Sequence, residues 1–131
     1  MFRKVFEKKA QPLTGAPAVR RLKTYSAESG YVYQYSYQGQ RAHADGTEFV
    51  FTISADRKSW HDLSVIVSGE AVRAWEQAHG RSLSSTEVYA VAKMALFAAM
   101  DERASPSEMC KPVHVGEAGV AAAAERLGFG E

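Results

Sequence analysis

From Val88 to Met100 the chain carries one charged side chain, Lys93. At 3.6 residues per turn such a run wraps apolar surface most of the way round a helix instead of along one stripe, so any fold must bury it on several sides. The N-terminal end of the run is marked by two independent signals. Ser84 and Glu87 stand at capping-box spacing, and Leu83 and Val88 occupy the positions of a hydrophobic staple. A helix is predicted from Ser85, stopped by Asp101, Glu102 and Arg103 and then by Ser105-Pro106, where proline bars helical geometry in the residue before it. The run falls short of the roughly 20 apolar residues a bilayer requires, so it reads as a core helix. It also lacks the polar side chains that a helix-turn-helix must present to a groove.

A helix of this kind needs a sheet, and the preceding residues supply one. Tyr31 to Tyr37 alternates with four tyrosines on one face, Phe49, Phe51 and Ile53 share a face in the next run, and Leu63, Val65 and Val67 do so in a third. Ala44-Asp45-Gly46 and Asp56-Arg57-Lys58-Ser59 between them have turn chemistry. Facing aromatic against aromatic sets Tyr37 opposite Phe49, Tyr35 opposite Phe51, Tyr33 opposite Ile53, and Phe51 opposite Val65. Upstream, residues 20 to 26 form a further strand through the turn Ala27-Glu28-Ser29-Gly30. Leu22 and Thr24 are then expected on the tyrosine face, and Arg21, Lys23 and Tyr25 on the opposite one. The fold class expected is α+β: an antiparallel meander of about four strands, one face covered by two or three helices.

The remaining covers follow in order. Ser68 is an expected N-cap, Ala71, Val72, Trp75 and Ala78 make an apolar stripe, and Gly80 stands where a helix ends in left-handed geometry. Val113 to Val115, led by Pro112, is a candidate edge strand. Glu117 to Leu127 reads as an Ala-rich helix closed by Gly128. The Gly116-Glu117-Ala118-Gly119 turn has the spacing of a phosphate cradle, but the acid inside it opposes an anion at the positive helix end, and it reads as a strand-to-helix turn.

Length and charge distribution bear on function. At 131 residues the chain matches one domain, expected over 19–131 and preceded by a flexible basic leader over 1–18. The net charge of +1 conceals seven basic side chains against the single acid Glu7 within residues 1 to 23, a pattern that suits a basic arm. The basic N-terminus has no apolar run behind it and the lone Cys110 forms no internal disulfide; both lead to an expected cytoplasmic location, with no membrane association.

No catalytic, cofactor or metal site is expected. His43, His61, His79, His114 and Cys110 have none of the spacings that put two ligands on one face. His61-Asp62 as base and orienter, or Cys110 with His114 as thiol and base, lack any supporting signature. His79 suits the last turn of its helix, where a cation complements the dipole. The expected function is that of a small non-enzymatic binding or accessory protein acting through a protein partner or self-association. Val50 and Ile66 on the open sheet face, with Met94 and Phe97 beside Lys93, are its candidate contacts. The alternative is binding of nucleic acid or another polyanion through the arm and Arg20, Arg21, Lys23 and Tyr25.

Overall fold

The computed structural model describes residues 11–130. Five strands form one curled sheet in sequence order: β1 (Lys23–Ser26), β2 (Val32–His43), β3 (Gly46–Ser54), β4 (His61–Val67) and β5 (Val113–Val115). The first four are antiparallel, and β5 lies parallel to β4. Three helices, α1 (Gly69–His79), α2 (Ser85–Glu102) and α3 (Glu117–Leu127), cover one face, and a 3-10 turn at Pro106–Cys110 leads into β5. The α+β class is as expected from the alternation. The parallel edge follows from connectivity, because β4 and β5 are separated by two helices, and a crossover of that length returns the chain in the same direction.

Local chemistry fixes the helix ends. Ser68 accepts from the Ala71 amide at the start of α1, and Gly80 ends it at φ 62°. Ser84 and Glu87 complete the capping box of α2, and Gly128 ends α3 at φ 77°. His79 donates through Nδ1 to the Trp75 carbonyl and stacks on the Trp75 ring. Val91, Ala92, Leu96 and Met100 of α2 are fully buried, in a cluster with Phe51, Val65 and Val120 from the sheet and α3. That burial, on the order of 2 kcal/mol for each large side chain, is what holds the helix down. Among the described residues no helix is long and apolar enough to cross a membrane.

The strand registers differ from the simple alternation in instructive ways. The β2–β3 turn is the two-residue Ala44-Asp45, with Ala44 left-handed at φ 52°, and it sets His43 opposite Gly46. Counting back from that turn would place Tyr37 opposite Thr52 and turn the tyrosines to the open face. An extra residue at Gln38, a bulge between Tyr37 and Gly39, returns Tyr37 to Phe51 and Tyr35 to Ile53. The pairs are therefore offset by two residues from Tyr37–Phe49 and Tyr35–Phe51, with the faces kept. Phe51 likewise faces Leu63, not Val65.

At the β1–β2 hairpin the faces do change. Three residues, Glu28 to Gly30, make the turn, closed by the Ala27 amide on the Tyr31 carbonyl, with Gly30 at φ 100°. Lys23 then pairs with Tyr35 and Tyr25 with Tyr33, while Thr24 faces Gln34 and bonds its side chain. Lys23 and Tyr25, expected on the open face, thus lie on the helix-covered face, and Thr24 lies on the open one. The register is held by Tyr25, which stacks on Phe97 at 4.2 Å and donates to Asp101. The Asp101 carboxylate also accepts from the Glu28 amide, tying the turn to the end of α2.

Candidate functional site

The bulge that aims the tyrosines also seats the chain ahead of β1. Thr14 and Gln40 exchange two backbone hydrogen bonds of 2.8 Å, so residues 11 to 14 run beside β2. Gly39 allows this: it sits at φ 129°, and a Cβ there would meet the Thr14 carbonyl oxygen at 2.8 Å and Leu13 Cβ at 3.0 Å. From Thr14 the chain turns at Gly15 (φ 75°) and runs exposed to β1. The space between this strap, β2 and the start of α2 is a cavity of about 570 Å³.

Its walls come from three elements. Thr14, Gly15, Pro17, Val19, Arg21 and Lys23 line it from the strap and β1, Tyr35, Tyr37 and Gln40 from β2, and Ser85, Thr86 and Tyr89 from α2. Among the described residues that wall contains two cations, several hydroxyls and an amide, and no carboxylate. Tyr37 donates to Gln40 Oε1, whereas the hydroxyls of Tyr35 and Tyr89 have no partner among the described residues. Burial raises the pKa of all three phenols, that of Tyr37 to about 12, so each remains a neutral donor near pH 7.

The one charge between Val88 and Met100 lies on the stripe of α2 that packs against two of the lining tyrosines. Tyr89, Lys93 and Phe97 are spaced at i, i+4 and i+8, one stripe of α2. Tyr89 packs on Tyr37 with ring centroids 4.7 Å apart, and Phe97 meets Tyr35 edge-on at 5.6 Å. Between them the Lys93 ammonium lies 5.8 Å from the Tyr35 ring centre and 5.9 Å from that of Phe97. Burial and then the neighbouring Lys23 ammonium push its pKa down. Lys93 is half-buried against the sheet aromatics. The charges of Lys93 and of Lys23, which lines the cavity, therefore disfavour one another. Among the described residues the ion pairs are Arg41–Glu48, Arg73–Asp45, Arg81–Glu87 and Lys111–Glu108; Arg21, Lys23 and Lys93 are in none of them.

The residues singled out from the sequence distribute as follows. Arg21 and Lys23 line the cavity, whereas Arg20 is exposed outside it and Tyr25 is engaged by Phe97 and Asp101. The four cations Arg3, Lys4, Lys8 and Lys9 of the leader lie outside the described residues. Val50 faces Gly39 and Ser64 on the far side of the sheet and is 3% exposed, which leaves it little surface to offer a partner. Ile66 pairs there with Glu48, which binds Arg41 and Ser64. Met94 and Phe97 are half-buried; Met94 borders a second cavity, of about 460 Å³, walled mainly by small residues of α2 and α3.

The histidine pairings considered from sequence have separate settings. His61 contacts the Met109 carbonyl, while Asp62, one residue on and so on the opposite face of β4, accepts from Thr52. The Cys110 thiol turns back to the Ser107 carbonyl, and His114 is exposed opposite Ile66. Among the described residues no three His, Cys, Asp or Glu side chains are grouped to hold a metal ion.

Fold and cavity together define an α+β domain with a cation- and hydroxyl-lined cleft between its sheet and its longest helix. Comparison with known protein families, with curated proteins and with solved structures returned no match.

Proposed function

We propose that this protein is a small non-enzymatic binding protein that holds an anionic ligand in the cavity between residues 14 to 23 and the start of α2. The observation that carries this reading is the wall itself. Arg21 and Lys23 line it together with the hydroxyl-bearing Thr14, Tyr35, Ser85, Thr86 and Tyr89, with no carboxylate among the described lining residues. Donors gathered without acceptors of negative charge suit an oxyanion, and the apolar parts of Pro17, Val19 and the tyrosine rings suit an organic body attached to it. The volume falls within the roughly 300–1,000 Å³ usual for small-molecule sites. The exposed, unpaired Cys110 is compatible with the reducing cytoplasm, where we place the protein.

Backbone NMR tests the reading. Titration with benzoate or phenyl phosphate should move amides of Arg21, Lys23, Ser85, Thr86 and Tyr89 together, and Arg21→Gln with Lys23→Gln should weaken binding at least tenfold. Shifts scattered over the surface, or none, would exclude it.

A second reading, contact with a protein partner or a second copy, is favoured by the groove of small residues that Met94 borders between α2 and α3. Light scattering over a concentration series checks it; a strict monomer throughout removes self-association.

A further inference from the structure

The anion reading leaves one group of the wall without a use. Tyr35 lines the cavity yet is only 5% exposed, and its hydroxyl has no hydrogen-bond partner among the described residues. Among those residues the side-chain polar atom that is both fully buried and unpartnered is the Tyr33 hydroxyl, and Tyr33 is not on this wall. The Tyr35 hydroxyl therefore keeps a small access to solvent, and the cavity is where its residue has that access. Arg21 and Lys23 differ in kind, because both are exposed and water stays on whichever of their donors a ligand leaves free. A ligand that displaces solvent from the phenol must bring an acceptor for it or leave a polar group unpaired. A carboxylate has no acceptor over for that purpose: about five N–H donors on a guanidinium and three on an ammonium already exceed its roughly four lone-pair positions. The rest of the wall is aromatic and apolar, with the Tyr37 and Tyr89 rings 4.7 Å apart and Pro17 and Val19 from the strap.

We infer that the ligand is a hydroxylated aromatic acid, its carboxylate taken by Arg21 and Lys23, its ring against the apolar part of the wall, and its ring oxygen accepting from the Tyr35 hydroxyl. This rests on the anion reading above and narrows it. Tyr35 is then the residue that sets specificity, while the two cations attract any acid. Burial raises the Tyr35 pKa, so near pH 7 the phenol is a neutral donor and adds no charge that would repel the acid. A site with a buried hydrogen-bonding group rejects an analogue lacking the matching oxygen far more strongly than an apolar pocket discriminates by size.

Calorimetric titration of the full chain near pH 7 tests the inference with matched probes: meta- and para-hydroxybenzoate, each against the methylbenzoate of the same substitution, in which a methyl group replaces the hydroxyl. At least one hydroxybenzoate should bind tenfold or more tightly than its methyl counterpart. Tyr35→Phe, which removes a hydroxyl without a protein partner and should leave the urea midpoint unchanged or higher, should reduce that ratio to threefold or less. The affinity of the methylbenzoate should change by less than threefold in the same variant. In the unsubstituted protein, where folding is not in question, the Tyr35 ring resonances should shift more on titration with the preferred hydroxybenzoate than with its methyl counterpart. Equal binding within each pair, a preference that survives Tyr35→Phe, or Tyr35 resonances that respond alike to both overturns the hydroxy-acid inference and leaves the anion site standing. Absence of binding by all four probes overturns both the inference and the anion reading on which it rests.

Discussion

Lys23 is among the causes that lower the Lys93 pKa, so the two ammonium groups should repel in the folded protein, and a double-mutant cycle measures the cost. Two like charges about 4 Å apart repel by about 1 kcal/mol in water and about 4 kcal/mol at an effective dielectric of 20. Lys23 is exposed and Lys93 half-buried, so solvent screening holds the pair to about 1 kcal/mol at low salt. Single substitutions blur this, because Lys93→Met also removes the cation over the Tyr35 and Phe97 rings, worth about 0.5–1 kcal/mol in the other direction. The cycle cancels that contribution. Either Lys23→Met or Lys93→Met alone relieves the whole repulsion, and the double variant relieves it only once. The double variant should therefore be less stable than the sum of the single effects by about 1 kcal/mol in urea unfolding at 20 mM salt. In 1 M salt, where the screening length drops to about 3 Å, the coupling should nearly vanish. Zero coupling at low salt, coupling of opposite sign, or coupling indifferent to salt would refute the repulsion between these two lysines.

Three further outcomes are expected. Gly39→Ala should destabilise by about 2 kcal/mol in urea, since it sets a side chain at φ 129° and drives a Cβ into the Thr14 carbonyl; it should also disturb ligand binding, because the strap must shift. Phe97→Asp should abolish cooperative unfolding and near-UV dichroism by placing a charge between Tyr25 and Tyr35, whereas a folded variant deficient only in association would mark Phe97 as interface. Glu87, held down by Arg81 and the Ser84 amide, and Asp56, held down by the Ser59 and Lys58 amides, should both titrate near pH 2 in carboxyl NMR. Folded values below the unfolded ones of 4.5 and 3.8 mean that their contribution to stability is complete above that range and is lost as pH falls toward 2. Midpoints near 4 would contradict the geometry of both turns.

Helix boundaries were legible because their signals are local. Ser68, Gly80, the Ser84–Glu87 box and Gly128 each act within one turn of chain, and each end falls where those residues require. Strand faces were legible where the turn preserved parity and illegible where it did not. At β1 the ladder hinges on whether the turn holds three residues or four, a difference that composition does not encode. What settles it is Asp101, 76 residues downstream, receiving the Tyr25 hydroxyl and the Glu28 amide. At β2 the bulge at Gln38 reconciles a two-residue turn with an aromatic face, a conflict that becomes visible only once the turn is known.

The site was half legible for the same reason. Arg21 and Lys23 stand out as cations, but the open-face register assigned to them would have separated them from the tyrosines by the thickness of the sheet. A single residue of slip reverses that and sets Lys23 beside Tyr35. The signal available in the sequence was Lys93, the lone charge from Val88 to Met100, four residues from Tyr89 and four from Phe97. A lysine whose helical neighbours on both sides are aromatic must either snorkel out from under them or serve what lies there. Here the neighbours pack on the sheet, and the ammonium remains over Tyr35 in the company of a second one. Folding alone would favour an apolar residue at that position, since the pair costs stability wherever no anion is bound. Should an anion bind beside Lys23, relief of the repulsion between the two lysines would add to its affinity.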